Sequence, residues 1–462
     1  MQMNQHIATF PSVVLSESRI MAIIGAAAFI YALCSMIFIR EVAIPYIYPS
    51  AVDGHLPGDA AYYHSLAMEQ LTKIDLQGIS AFELRPKGQG AAGIASLLYL
   101  AIESPYSVVI LNSVLHAAAT LILILILRRW FTFRVSIIAA SPLALSPYMM
   151  IWFSQINKES YMLLGVMLFV YGLIELLSIR CRPSMLRNLF IAISGVVLIG
   201  LVRPYANQIL FPITAFIFSL AFLWQLRHEQ SIMKLMPLAA SAATVLLTLG
   251  LLTSGAASDK TLTRISNEKP VSIPDHPQST ASACLRNADP IRWANEAWLP
   301  DYIDTRLRSM MTQRCLVFTL LESQSNPITL DSIIDQRRLP SGSAEALGYL
   351  PRAVMIGVLS PWPTQWLYSF QVRPSIFYTI SSIEAVLMYV AIFGSCIYIA
   401  RRKRWLAAVP MTLALSFMTI VGMATPYIGA VYRYRYPWWM LVICVGIAAS
   451  MTLFNEWKGK TP

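Results

Sequence analysis

"ILNSVLHAAATLILILILRRWF", residues 110–131, decides what kind of protein this is. The apolar run it belongs to, residues 105–127, contains no Asp, Glu, Lys or Arg and then stops at Arg128 and Arg129. A helix of that length crosses a hydrocarbon layer about 30 Å thick, and the paired arginines mark the end that stays in the cytoplasm. Working outward, runs of the same kind recur at about 20–39, 135–152, 160–179, 189–203, 206–225, 235–253, 376–400, 405–424 and 437–454. With 105–127 they make about ten spans. The composition agrees: 56% of the 462 residues are hydrophobic and 13% charged, outside the range of soluble domains. The expected fold class is an all-α polytopic membrane protein.

The basic residues test this count. Arg128, Arg129 and Arg134, then Arg180, Arg182 and Arg187, then Arg227 and Lys234, then Arg401 to Arg404 with Lys403, then Lys458 and Lys460 all fall in loops that ten spans put on one side. The net charge of +11 is therefore mostly topology, and it excludes a nucleic-acid partner because no contiguous basic patch forms. Residues 1–19 form a cytoplasmic N-terminus, 20–253 a transmembrane core with a first outer loop at 40–90, 254–350 an outer appendage, and 351–462 an interfacial helix with the C-terminal spans. "AAGIASLLYLAIE", residues 91–103, is too short to cross and reads as an interfacial helix, as does 347–366 with its prolines and aromatic residues. Cys284 and Cys315 are the two cysteines expected outside, where a disulfide between them is favoured. No Cys/His spacing points to a metal.

Ionisable residues near the lipid plane with no topological duty are the places to look for function. They are Asp53 and Asp59 in the first loop, Arg85 and Lys87 at its end, Lys158 and Glu159 in "SQINKESY", Arg203 in "LVRPYANQ", Arg352 in "YLPRA", and Arg433 and Arg435 in "VYRYRYP". The spans bring all of them to one outer level. Mid-span segments are almost free of charge. Arginines suit phosphate oxygens and aromatic side chains suit sugar rings, so carboxylates, cations and aromatics beside lipid describe a site for a lipid-phosphate-linked sugar. Other readings stay open at this stage. Glu159 and Lys158 suit a solvated turn, Arg203 a snorkelling helix end, Arg352 a pair with Glu345, and Trp362, Trp366, Trp438 and Trp439 an aromatic belt. In "PGDAAYYHSLAME", residues 57–69, Asp59 is placed to cap the helix that carries Tyr62 and Tyr63, and equally placed to serve a substrate.

The layout resembles the GT-C superfamily of membrane glycosyltransferases, which includes the protein O-mannosyltransferases and the lipid A aminoarabinose transferases. The resemblance rests on one N-terminal span, "GDAAYYHSLA" in the first outer loop, the short interfacial helix, the opening stretch, and "ASPLALSPYMMIWFSQINKESYMLLGVMLFVYGLIEL", a Pro-containing span followed by a polar outer turn; it covers about residues 20–225. It implies a polyprenyl-phosphate-linked sugar as donor, a glycan or lipid acceptor, and membrane lipid around the site; no cofactor is expected, with a divalent cation left open. The implied home is a bacterial inner membrane, with the site facing the periplasm. The superfamily's first-loop carboxylate falls on Asp59, with Asp53 as the other candidate and Glu159 matching the acidic residue of the later turn. The usual adjacent pair of acidic residues is missing, because Ala60 follows Asp59. Arg433, Arg435, Arg203, Lys158 and Arg352, with Tyr62 and Tyr63, are the expected phosphate and substrate contacts. A Wzy-type O-antigen or exopolysaccharide polymerase and a lipid-linked oligosaccharide transporter share parts of this pattern and are the alternatives.

Overall fold

The computed structural model describes residues 16–47, 55–56, 58–102, 104–178, 183–228, 235–254, 293–294, 298–323, 333–335, 339–363, 376–402 and 405–459. Its described residues are predominantly helical and include two isolated bridges, Ala294 with Gly342 and Ile333 with Tyr427. Among them, nine helices are long and apolar enough to cross a membrane, or ten with one bent pair counted as a span. The protein is a multi-pass membrane protein of the all-α class.

The first span, α1 (Glu17–Phe38), runs on through a π turn (Ile39–Ala43) and is longer than the apolar run alone suggests. The first loop holds α2 (Asp59–Gln77) and the short apolar α3 (Gly90–Ala101), which packs on α2 where an interfacial helix was expected. Then come α4 (Tyr106–Leu127), the bent pair α5 (Phe133–Ala144) and α6 (Pro147–Phe153), α7 (Glu159–Leu177), α8 (Pro183–Val202), α9 (Pro204–His228) and α10 (Met236–Ser254). Outside the spans lie α11 (Asp301–Ser323), α12 (Ser343–Gly348) and α13 (Leu350–Val354), the last continuing as a π turn (Met355–Leu359). The chain ends in α14 (Ile376–Arg402), α15 (Trp405–Ala424) and α16 (Ile428–Trp457).

The expected span 135–152 is thus two helices meeting at 56°. Pro147 lacks the N–H that would continue the ladder, and Pro142 removes another bond one turn earlier, so the helix restarts at Pro147. The last span also differs from its expected start at 437. Helix α16 begins at Ile428, so "VYRYRYP" is no loop but two helical turns. Pro437 sits inside that helix without ending it.

In lipid there is little hydrophobic gain from bringing helices together, so close approach of small residues holds the bundle. A Cβ on Gly195 of α8 would come within 2.5 Å of the Phe169 backbone nitrogen on α7, and one on Gly357 would land on the Met418 carbonyl of α15. The second contact seats the α13 segment directly on α15. Trp438 and Trp439, expected in an interfacial belt, are instead fully buried in the bundle core. At one end of the bundle the basic clusters are tied down by Arg128 to Glu17, Arg129 to Glu175 and Arg402 to Glu456. We call this the basic end; the residues singled out for function gather at the opposite end.

Candidate functional site

Helix direction alone explains the gathering. α2 and α7 start at the end opposite the basic clusters, α8 finishes there just before Arg203, and Arg433 lies in the second turn of α16. The side chains then meet. Glu159 Oε1 accepts from Arg203 Nη2 at 2.7 Å and from Arg433 Nε at 2.8 Å, and Arg433 Nη1 donates to Asp59 Oδ2 at 3.0 Å. One guanidinium thus joins a carboxylate with 1% of its side chain exposed to one with 54% exposed. Aromatic faces set the arginine planes: Arg203 lies 4.2 Å over Tyr434 and Arg433 4.6 Å over Trp152. Tyr205 stacks beside Tyr434.

The start of α2 overturns the capping reading. Gly58 is the N-cap, with φ 106°, and Asp59 is already the first helical residue and makes no side-chain cap bond. A residue with a Cβ is strained at that φ, so glycine delivers the chain into the helix while Asp59 is left to face Arg433. Tyr63, one turn on, is buried; burial first, and then the charge of Asp59, hold its phenol well above the ordinary range. Tyr62 is half-buried beside it.

The turn carrying Lys158 and Glu159 is not the solvated turn it resembles in sequence. Asn112 of α4 donates to the carbonyls of Phe153 and Gln155 and accepts from Ser160, and the Gln155 side chain accepts from the Leu56 N–H. This frame of buried amides fixes the turn so that Glu159 points inward and Lys158 lies with its ammonium 5.1 Å over the Tyr63 ring. Lys158 makes no hydrogen bond or ion pair among the described residues. Burial, and next the charge of Arg203, pull its ammonium down to about 8. Three cations against two carboxylates leave the cluster one positive charge in excess, and that excess sits on Lys158.

Other expected members lie elsewhere. Arg435, two residues from Arg433, points to a different side of α16. Its guanidinium donates to the Ile356, Gly357 and Ser360 carbonyls and to Ser360 Oγ, and stacks 3.3 Å over Trp439. It caps the end of the α13 segment, where unpaired carbonyls concentrate, and is not a surface phosphate contact. Arg352 pairs with Asp335 through two bonds of 2.8 Å, in place of Glu345, which instead accepts from the Ser341 N–H. Lys87 pairs with Glu69. Asp53 lies outside the described residues. So does Cys284; Cys315 is disulfide-bonded, while Cys34, Cys396 and Cys444 are free. No group of three or more His, Cys, Asp and Glu suited to a metal ion exists among the described residues.

Sequence reasoning missed Asn112, Gln155, Trp152 and Tyr434, which aim the charges. Polar residues inside apolar runs were their available signal. It also missed Glu384, within the span Ser382–Arg402, against the reading that mid-span segments are nearly charge-free. Compared with known protein families, characterised proteins and solved structures, the chain gives no match to any of the three. Its function is therefore argued from the site.

Proposed function

We propose that this protein is a glycosyltransferase that moves a sugar from a polyprenyl-phosphate donor to a glycan or lipid acceptor, at the face of the membrane opposite its basic loops. The observation that carries the reading is the division of labour around Arg433. Glu159 is buried, and two guanidiniums donate to its Oε1, which makes it a poor base and a good anchor. Asp59 shares Arg433 yet keeps half its surface open, so one oxygen remains for an acceptor hydroxyl. Lys158, unpaired, supplies the charge for a phosphate.

In the inverting mechanism that follows, Asp59 takes the proton from the acceptor hydroxyl as its oxygen attacks the anomeric carbon. The bond from that carbon to the polyprenyl phosphate breaks with its electron pair, and the departing phosphate gathers negative charge. Lys158 and the outer edge of Arg433, held in place beforehand, stabilise that charge in the transition state. General-base help of this kind is worth roughly 10²- to 10⁴-fold. The reading also implies a bacterial inner membrane with the site turned to the periplasm, which the side occupied by the arginine clusters supports.

The test is turnover. Asp59→Asn, assayed in vesicles with polyprenyl-phosphate sugars and by mass spectrometry of cell-surface glycans, is expected to lose at least about 10² in rate while keeping the fold and the affinity for polyprenyl phosphate. Turnover near that of the wild type sinks the base assignment. A ladder of repeat units in place of a single added sugar favours the polymerase instead.

A further inference from the structure

Glu384 is an acidic side chain within a span that the proposed reaction does not use. At 1.5 Å per residue it stands about 27 Å along α14 from Arg402 at the basic end, within the apolar span and just below the level of Arg433. Its one hydrogen bond among the described residues is from Ser146 Oγ, at 3.4 Å to Oε1. Ser146 is the residue at the break between α5 and α6, next to Pro147. Among the described residues no cation pairs with Glu384 directly. The groups that face it are Ser146 from the break, Tyr148 from α6, and Tyr432, Arg435 and Tyr436 from α16. Arg435 is within electrostatic reach but spends its guanidinium on the carbonyls of residues 356–360. Tyr436, 2% exposed, brings its buried hydroxyl towards the same Ser146.

An ionised carboxylate with one long bond to a hydroxyl, in this setting, carries a solvation cost that Arg435, already engaged with the carbonyls of residues 356–360, offsets only in part. A neutral carboxyl has no such cost. It accepts from Ser146 with one oxygen and offers an O–H donor on the other. We propose that Glu384 is a proton-binding site within the membrane part of the fold, set against Ser146 at the break between α5 and α6.

Losing the proton leaves a carboxylate that attracts Arg435, and every gain in that attraction competes with the carbonyls that Arg435 caps. The short α6 makes the event felt further away. Ser146 precedes its first residue, and Trp152 near its last is the face on which Arg433 rests. Seven residues of helix therefore connect the proton site to the outer arginine.

A hydrophobic carbodiimide, which reacts with protonated carboxyls in lipid, tests this on the wild-type protein in vesicles. Peptide mass spectrometry is expected to find the adduct on Glu384 at pH 7, with at least tenfold less at pH 10 and no protection by sodium. Infrared spectra are expected to show a protonated-carboxyl band that Glu384→Gln removes without lowering the melting temperature. Absence of adduct and band at pH 7 overturns the proposal, because the carboxyl is then ionised. Protection by sodium also overturns it, since the ligand is then a metal cation. Neither readout depends on sugar transfer, so each stands whatever the fate of the proposed reaction.

Discussion

Two neighbouring residues serve the site in different ways, and each answers to its own measurement. Glu159→Gln removes the charge that two buried guanidiniums share, and stranding buried charge in this way costs about 3–5 kcal/mol. The expected outcome is a sharply lowered melting temperature in detergent, with Arg433 no longer held against Trp152. Lys158 is read instead through pH. Because its ammonium is pulled down to about 8, the cation is lost as pH rises through that value. Transfer is expected to fall about tenfold per pH unit above it, and Lys158→Arg to keep activity flat over the same range. The stability effect has the opposite sense. Between about 8 and the ordinary lysine value of 10.5 the unfolded chain holds this proton and the folded chain does not, so folding grows more favourable as pH rises. Lys158→Met is expected to lack that rise in a thermal melt recorded against pH.

At the scale of an element, α16 presents Arg433 and Arg435, about half a turn apart, to different partners. The second arginine holds the end of the α13 segment by four bonds, a geometry a point-charged ammonium does not reproduce. Arg435→Lys is expected to cost about 2–4 kcal/mol and to expose that segment, read as faster thiol labelling of Leu359→Cys. If labelling stays as slow as in the arginine-bearing protein, the capping role is wrong. The elements themselves were largely readable in the sequence, since apolar length alone specifies a membrane helix. What was not readable was where a helix breaks or begins among polar residues. "VYRYRYP" has the charges and proline of a loop, yet helix is the cheaper state for a backbone entering lipid. Pro147 stands at the break in its span, whereas Pro437 lies inside a continuous helix.

For the whole molecule, the side preference of the basic clusters fixes one arrangement of spans, and thiol labelling checks it. Thr132→Cys and Lys458→Cys are expected to react from the same side, and Ser104→Cys from the other. Any mixed result breaks the count of ten. The site's location was legible at this scale, since counting spans places Asp59, Lys158, Glu159, Arg203 and Arg433 on one level. Its wiring was not. Arg433 and Arg435 are indistinguishable as residues in a sequence, and only the turn of the helix decides which meets Glu159. The network draws on the start of α2, the turn before α7, the junction of α8 with α9, and the second turn of α16, four stretches scattered across more than 370 positions from Asp59 to Arg433. No loop exchange can therefore transplant this centre into another protein. A chimera joined anywhere between residues 204 and 432 inherits the acids and Arg203 from one parent and their shared arginine from the other, and works only if both parents kept the same spacing.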